Sequence, residues 1–190
     1  MSTITTFNDA VYWSRETIYP EGPSDIHEQL TKDALAKIKP RPDSIVLDIG
    51  SGYGYAEKEL REVYGCSVHT LWKNEDMHDE LSYHASTCDG VFLRHVLEHS
   101  ICPILVLNHV KNTLVSRGWL YVEVPAPGTV CKHEENPNHY SVMGFEMWSE
   151  LFKRVGFTSR EAGKINVATM AGPDVYFYWI LEKPNGASLD

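Results

Sequence analysis

Ten residues constrain this chain more than any others: Ile45-Val46-Leu47-Asp48-Ile49-Gly50-Ser51-Gly52-Tyr53-Gly54. A short apolar run ends in an acid and opens onto three alternating glycines. Continuous apolar runs of this length are the signature of a strand buried on both faces, and glycines directly after one let the backbone turn sharply beside a ligand. The following Tyr55-Ala56-Glu57-Lys58-Glu59-Leu60-Arg61-Glu62-Val63 reads as a helix, so the context is strand, loop, helix. A strand-end acid before glycines is costly unless it has a partner, which makes Asp48 a binding candidate. Spacing narrows the ligand. Tyr55 stands where a dinucleotide fingerprint needs its third glycine, and no Gly-Lys-Ser/Thr follows for a phosphate loop.

At 190 residues the chain is expected to form a single domain, with residues 1–40 as an N-terminal cap region. A net charge of −9 argues against broad nucleic-acid binding, which needs a basic surface. The four cysteines (Cys66, Cys88, Cys102, Cys131) form no C-x-x-C pair and read as reduced thiols. The first residues carry neither a basic region nor an apolar core, and no apolar run approaches membrane-spanning length. The expected location is cytoplasmic.

Helical spacing predicts helices over about 25–38, 55–64, 102–116 and 144–155, and strands at 44–49, 66–72, 89–94 and 119–124. The first helix would be capped by Ser24, with Ile26, Leu30, Ala34, Leu35 and Ile38 on one face. The third would use Ile104, Leu105, Leu107, Val110, Leu114 and Val115 as its apolar positions. The stripe Trp148, Leu151, Phe152 and Val155 reads as core. Two further extended segments, 157–167 and 174–183, close the chain. Strands alternating with helices give an α/β fold with a Rossmann-like open, mostly parallel sheet and an antiparallel terminal strand. Ligands of such sheets sit at the carboxyl ends of the strands. That rule gathers Gly50–Gly54, Trp72, Arg94-His95 and the loop after Pro125 around one crevice.

The pattern D-x-G-x-G-x-G at Asp48–Gly54 resembles the first motif of class I S-adenosylmethionine-dependent methyltransferases. Further segments follow in the family's order. Asp89–His99 is similar to its fourth-strand motif, Leu114–Pro125 to its entry into strand five, and His139-Tyr140-Ser141 with Phe152 and Val155-Gly156-Phe157 to its ending. Asp76-Met77-His78-Asp79 is similar to the segment after its third strand. The resemblance covers about residues 44–157. It implies S-adenosylmethionine as cofactor. Asp48, Gly50, Ser51, Gly52 and Gly54 would hold the methionine half, and Asp76 and Met77 the adenine. Trp72 would stack on the cofactor or block it. Arg94 and His95 would face the transferring methyl. Trp13 and Tyr19 are candidates to cap the cofactor or simply to pack.

One stretch departs from the pattern. The acid expected at the end of the second strand falls near Leu71-Trp72, and the nearest carboxylate is Glu75. Sixteen residues separate Trp72 from Asp89. A single parallel crossover needs about a dozen residues and a full βαβ unit about thirty. The sheet is therefore expected to be one strand and one helix short.

Two histidine-rich segments admit a metal reading. His95-Val96-Leu97-Glu98-His99 matches H-x-x-E-H, a zinc-peptidase pattern that needs both histidines on one helical face and a third ligand. Here the segment leaves a buried strand. Cys131, His133, Glu134 and His139 have zinc-ligating chemistry at a spacing that matches no finger. A solvated or substrate-facing loop is the preferred reading, and no metal is assigned. His139 and Tyr140 are the candidates for touching substrate, one of them as general base; His95 completes the catalytic set. The expected activity is methyl transfer to an O, N or C nucleophile of an unidentified acceptor. A second reading keeps the fold without productive cofactor binding, as a binding module or a homodimer. An NAD-linked oxidoreductase fails at Tyr55.

Overall fold

The structure, a computed structural model, describes residues 24–71 and 86–185. Four helices, α1 (Asp25–Ile38), α2 (Tyr55–Glu62), α3 (Pro103–Thr113) and α4 (Phe145–Val155), accompany six strands: β1 (Ile45–Ile49), β2 (Ser67–Leu71), β3 (Cys88–Arg94), β4 (Leu114–Pro125), β5 (Thr158–Thr169) and β6 (Gly172–Glu182). The strands form one sheet in the order β2-β1-β3-β4-β6-β5. The first four run parallel, and β6 runs antiparallel to both its neighbours. Among the described residues β2 is the edge of the sheet; the interval 72–85, where a further strand and helix would fall, lies outside them.

Alternation along the central strands splits the core into two layers. Leu47, Ile49, Val91 and Leu93 pack on one face with Val106, Leu107 and Val110 of α3 and Trp148 and Phe152 of α4. Val46, Val68 and Phe92 pack on the other with Ala34 and Leu35 of α1 and Leu60 of α2. Helices on both faces explain why β1 and β3 read as continuous apolar runs. Each fully buried aliphatic or aromatic side chain of this core contributes about 1.5–3 kcal/mol.

Local chemistry sets the helix ends. The Ser24 side chain accepts from His27 N at 3.4 Å, with Asp25 and Glu28 in the first turn of α1 and Lys37 in the last. Gly156 ends α4 in the left-handed region. The four cysteines are unbridged, and no described helix is long and apolar enough to cross a membrane.

Three expectations are corrected. The third helix stops at Thr113, and Leu114 and Val115 belong to β4, where Leu114 pairs with Cys88 ahead of a bulge. The buried residues of α3 are Val106, Leu107, Val110 and Thr113, whereas Ile104 and Leu105 are 42% and 47% exposed. The first two errors share a cause. An apolar run that crosses a helix–strand junction looks like one long stripe, because Leu and Val serve either element. In α1 the inward face is centred on Thr31, Ala34 and Leu35, and Ile26 points outward.

Candidate functional site

β1 carries Asp48 to the carboxyl edge of the sheet, with its side chain in the α1–α2 layer. It is buried, and its Oδ2 has no hydrogen-bond partner among the described residues. Burial, with Glu57 nearby, pushes its carboxyl up to about 7. The chain then turns through Gly50 and Gly52, both in the left-handed region at φ +75° and +53°. A Cβ on Gly50 would stand 2.5 Å from Val96 Cγ2, so the loop can approach the turn after β3 only with glycine there.

A cavity of about 320 Å³ opens on this loop, within the range of ligand pockets, about 300–1,000 Å³. Of the residues singled out in the sequence, it brings together Asp48, Gly50, Ser51, Gly52, Arg94, His95 and His139. Gly54 stands instead at the start of α2, and Tyr140, 39% exposed, does not line the cavity. Trp72, Asp76 and Met77 fall outside the described residues, as do Trp13 and Tyr19.

The wall opposite the glycines is a charged cluster from the ends of β3 and β4. Arg94 Nε stands 2.7 Å from Glu123 Oε1, and Arg94 Nη2 donates to His27 Nδ1 at 2.9 Å. Glu123 is fully buried; its other oxygen accepts from Tyr121 OH at 2.7 Å. Burial alone would raise the Glu123 carboxyl, but Arg94, His95 and the tyrosine hydroxyl hold it at about 2. His95 sits between two acids, its Nδ1 at 3.2 Å from Glu98 Oε1 and its Nε2 at 3.3 Å from Glu123 Oε1. Burial disfavours its cation, yet the two carboxylates outweigh burial and raise its pKa. His95 also adopts φ +54°, an uncommon conformation for a side-chain-bearing residue.

Three other imidazoles have the opposite character. Burial, helped by Arg94, lowers His27 to about 4, and burial lowers His139 to about 4. His99 is also lowered, mainly by burial. At neutral pH the cavity thus presents neutral rings beside one cationic patch. Tyr176 of β6 packs edge-on to His95, ring centroids 4.4 Å apart. The loop after β4 is pinned to the turn after β3, with Ser141 N donating to Glu98 O at 3.0 Å and Ser141 Oγ to Ser100 O at 2.7 Å.

Sequence reasoning missed His27, Glu123 and Tyr176. An acid inside the apolar run Tyr121-Val122-Glu123-Val124 was a legible signal. His27 carries none, because it reaches the site from a helix remote in sequence. Tyr55, whose bulk excludes a dinucleotide, also fixes the start of α1, its hydroxyl accepting from Ser24 N at 2.7 Å.

The family model described as "Methyltransferase domain" matches residues 24–169. The chain belongs to that family. No protein of curated function matches it in sequence. Solved structures share the fold. A chain of the Haloferax volcanii complex between the Trm112 methyltransferase activator and a methyltransferase is 18% identical at a TM-score of 0.75, over 92% of this chain and 97% of that one. Haemonchus contortus phosphoethanolamine N-methyltransferase 2, solved with phosphomonomethylethanolamine and S-adenosylhomocysteine, is 14% identical at 0.75, over 94% and 61%. A sarcosine dimethylglycine methyltransferase from Galdieria sulphuraria is 13% identical at 0.67, over 83% and 85%. These likenesses show the fold of the methyltransferases that the glycine loop resembles, and the Haemonchus contortus enzyme was solved with S-adenosylhomocysteine. The site's residues fit S-adenosylmethionine: a buried carboxylate oxygen without a partner among the described residues suits a cationic amino group, and Gly50 and Gly52 line the cavity beside it.

Proposed function

We propose that this chain binds S-adenosylmethionine at the Asp48–Gly52 loop and transfers its methyl group to a small acceptor held against His139. The reading rests on Asp48 above all, because a buried carboxylate with an unpartnered oxygen at the mouth of a glycine turn is costly until a cation meets it. Bound S-adenosylmethionine would supply a methyl already activated by its sulfonium, so the protein's contribution is chiefly proximity and orientation. Asp48 would accept the amino end, and the backbone of Gly50 and Gly52 would border the methionine portion. Arg94 and His95, locked by Glu123 and Glu98, form a rigid cationic wall that orients the reactants and stays fixed during the reaction. The two acids beside His95 raise its pKa and favour its cation, whereas His139, lowered to about 4, is neutral at pH 7 and is the imidazole that meets the acceptor.

The Asp48 reading predicts a pH dependence with a definite sign. Its carboxyl is raised to about 7, so below that pH the free protein must lose a proton before the carboxylate can accept the ammonium. Affinity for S-adenosylmethionine should fall about tenfold per pH unit below 7 and level off above it. Asp48→Asn should bind weakly and without that slope. Isothermal titration from pH 5.5 to 7.5 measures both; the same slope in the variant would remove Asp48 from the site.

A further inference from the structure

We infer that Glu98, His99 and His139 form a zinc site of the His2Glu type, open on its fourth side to the cavity, where it takes the oxygen of an alcohol or phenol. One ligand atom from each residue lies within 4.8 Å of the others. Tetrahedral zinc with bonds of 2.0–2.2 Å wants its donors about 3.4 Å apart, so small side-chain rotations close the site. Two of the atoms point to a missing partner. Among the described residues, Glu98, 1% exposed, has no hydrogen-bond partner for its Oε2, and His139 Nδ1 is likewise buried without one. Leaving such groups unmet costs about 1–3 kcal/mol each, so their convergence is better explained by an ion between them than by chance.

The surroundings are those of a ligand set. His99 Nδ1 stands 2.9 Å from Asn138 O, a carbonyl that only accepts; the proton is on Nδ1 and the lone pair on Nε2. Glu98 Oε1 faces His95 Nδ1 at 3.2 Å, which orients the carboxylate. All three side chains line the cavity that holds Asp48 and Gly50, so the open position faces the proposed cofactor. Two imidazoles and one carboxylate suit zinc rather than magnesium, which demands an octahedron of oxygens. The H-x-x-E-H pattern is thereby divided. His95, set apart by its left-handed backbone, supports Glu98, and the third ligand comes from the loop after β4. A second cluster, Cys131, His133 and Asp174, has the same chemistry but its groups already pair. His133 Nε2 lies 2.8 Å from Asp174 Oδ2, and Cys131 Sγ 3.4 Å from Thr169 Oγ1.

The site's role, unlike its existence, rests on the methyl-transfer reading. A coordinated hydroxyl releases its proton to solvent, as zinc-bound water does near pH 7. Its oxygen then attacks the methyl carbon. The carbon–sulfur bond breaks with its electron pair going to sulfur, leaving S-adenosylhomocysteine and a methyl ether. In this arrangement His139 holds the ion and takes no proton.

The test uses the full chain, stripped with a chelator and titrated with Zn²⁺ against a chromophoric competitor. One equivalent should bind, and Co²⁺ should give the intense visible absorption of a four-coordinate ion. His139→Ala and the isosteric Glu98→Gln should each weaken binding at least about a hundredfold, since loss of supporting groups alone costs 10–100-fold. Cys131→Ser should bind as wild type does. No stoichiometric binding, wild-type affinity in His139→Ala, or loss of binding in Cys131→Ser would each overturn the site. Calorimetry of S-adenosylmethionine on the stripped protein separates the two readings. Cofactor heat without zinc binding sinks the zinc site alone, and zinc binding without cofactor heat sinks the methyl-transfer reading alone. Methylation of an amine at full rate by metal-free protein would overturn the assigned role.

Discussion

Replacing Arg94 with methionine should destabilise the protein by about 3–5 kcal/mol, the range for breaking a buried ion pair by removing one member. Arg94 keeps Glu123, which is fully buried, in its ionised form. Without the guanidinium the carboxylate keeps its desolvation penalty and loses its largest compensating interaction. The pH dependence gives the mechanism away. In the wild type the Glu123 carboxyl lies at about 2, below its ordinary 4.5. Its stabilisation is therefore complete above pH 4.5 and is lost as the pH falls toward 2. In Arg94→Met that carboxyl should be pushed up instead, so the variant should gain stability as the pH is lowered from neutrality toward 5. Pairing Arg94→Met with Glu123→Gln should recover most of the loss, because no uncompensated charge is then buried. Urea unfolding of the four proteins closes the cycle; a double variant no more stable than Arg94→Met would mean that Arg94 acts by packing alone.

The second large effect belongs to the glycine loop. Gly52→Val should weaken S-adenosylmethionine binding by at least about a hundredfold, or about 2.7 kcal/mol. At φ +53° the new side chain is conformationally strained, and the residue borders the cavity. Circular dichroism confirms folding, and calorimetry reads the affinity. A folded variant with wild-type affinity would place the cofactor elsewhere.

How much of this was legible in the sequence follows from the range of the forces involved. The first strand, glycine loop and second helix were readable because hydrophobic period, an acid and three glycines all act within ten residues. The boundary between α3 and β4 was not, since the register with Cys88, not local propensity, draws Leu114 into the sheet. The site divides the same way. Asp48, Arg94 and His95 lie on motif segments, and His139 follows a strand end. His27, Glu123 and Tyr176 reach the cavity only because α1, β4 and β6 converge there. Tyr140 shows the limit of adjacency. Beside His139 in sequence, it is 39% exposed and is not among the residues that line the cavity. Trp72, Asp76 and Met77 lie in the interval that the structure does not describe.

In the proposed reading the loop from Asp48 to Gly52 is a working S-adenosylmethionine site. Isothermal titration of the wild-type protein at pH 7.5 with S-adenosylmethionine and S-adenosylhomocysteine tests it most directly. Saturable heat at one molecule of either ligand per chain is the predicted result. No heat at millimolar ligand would contradict it and leave a methyltransferase fold that serves as a binding module.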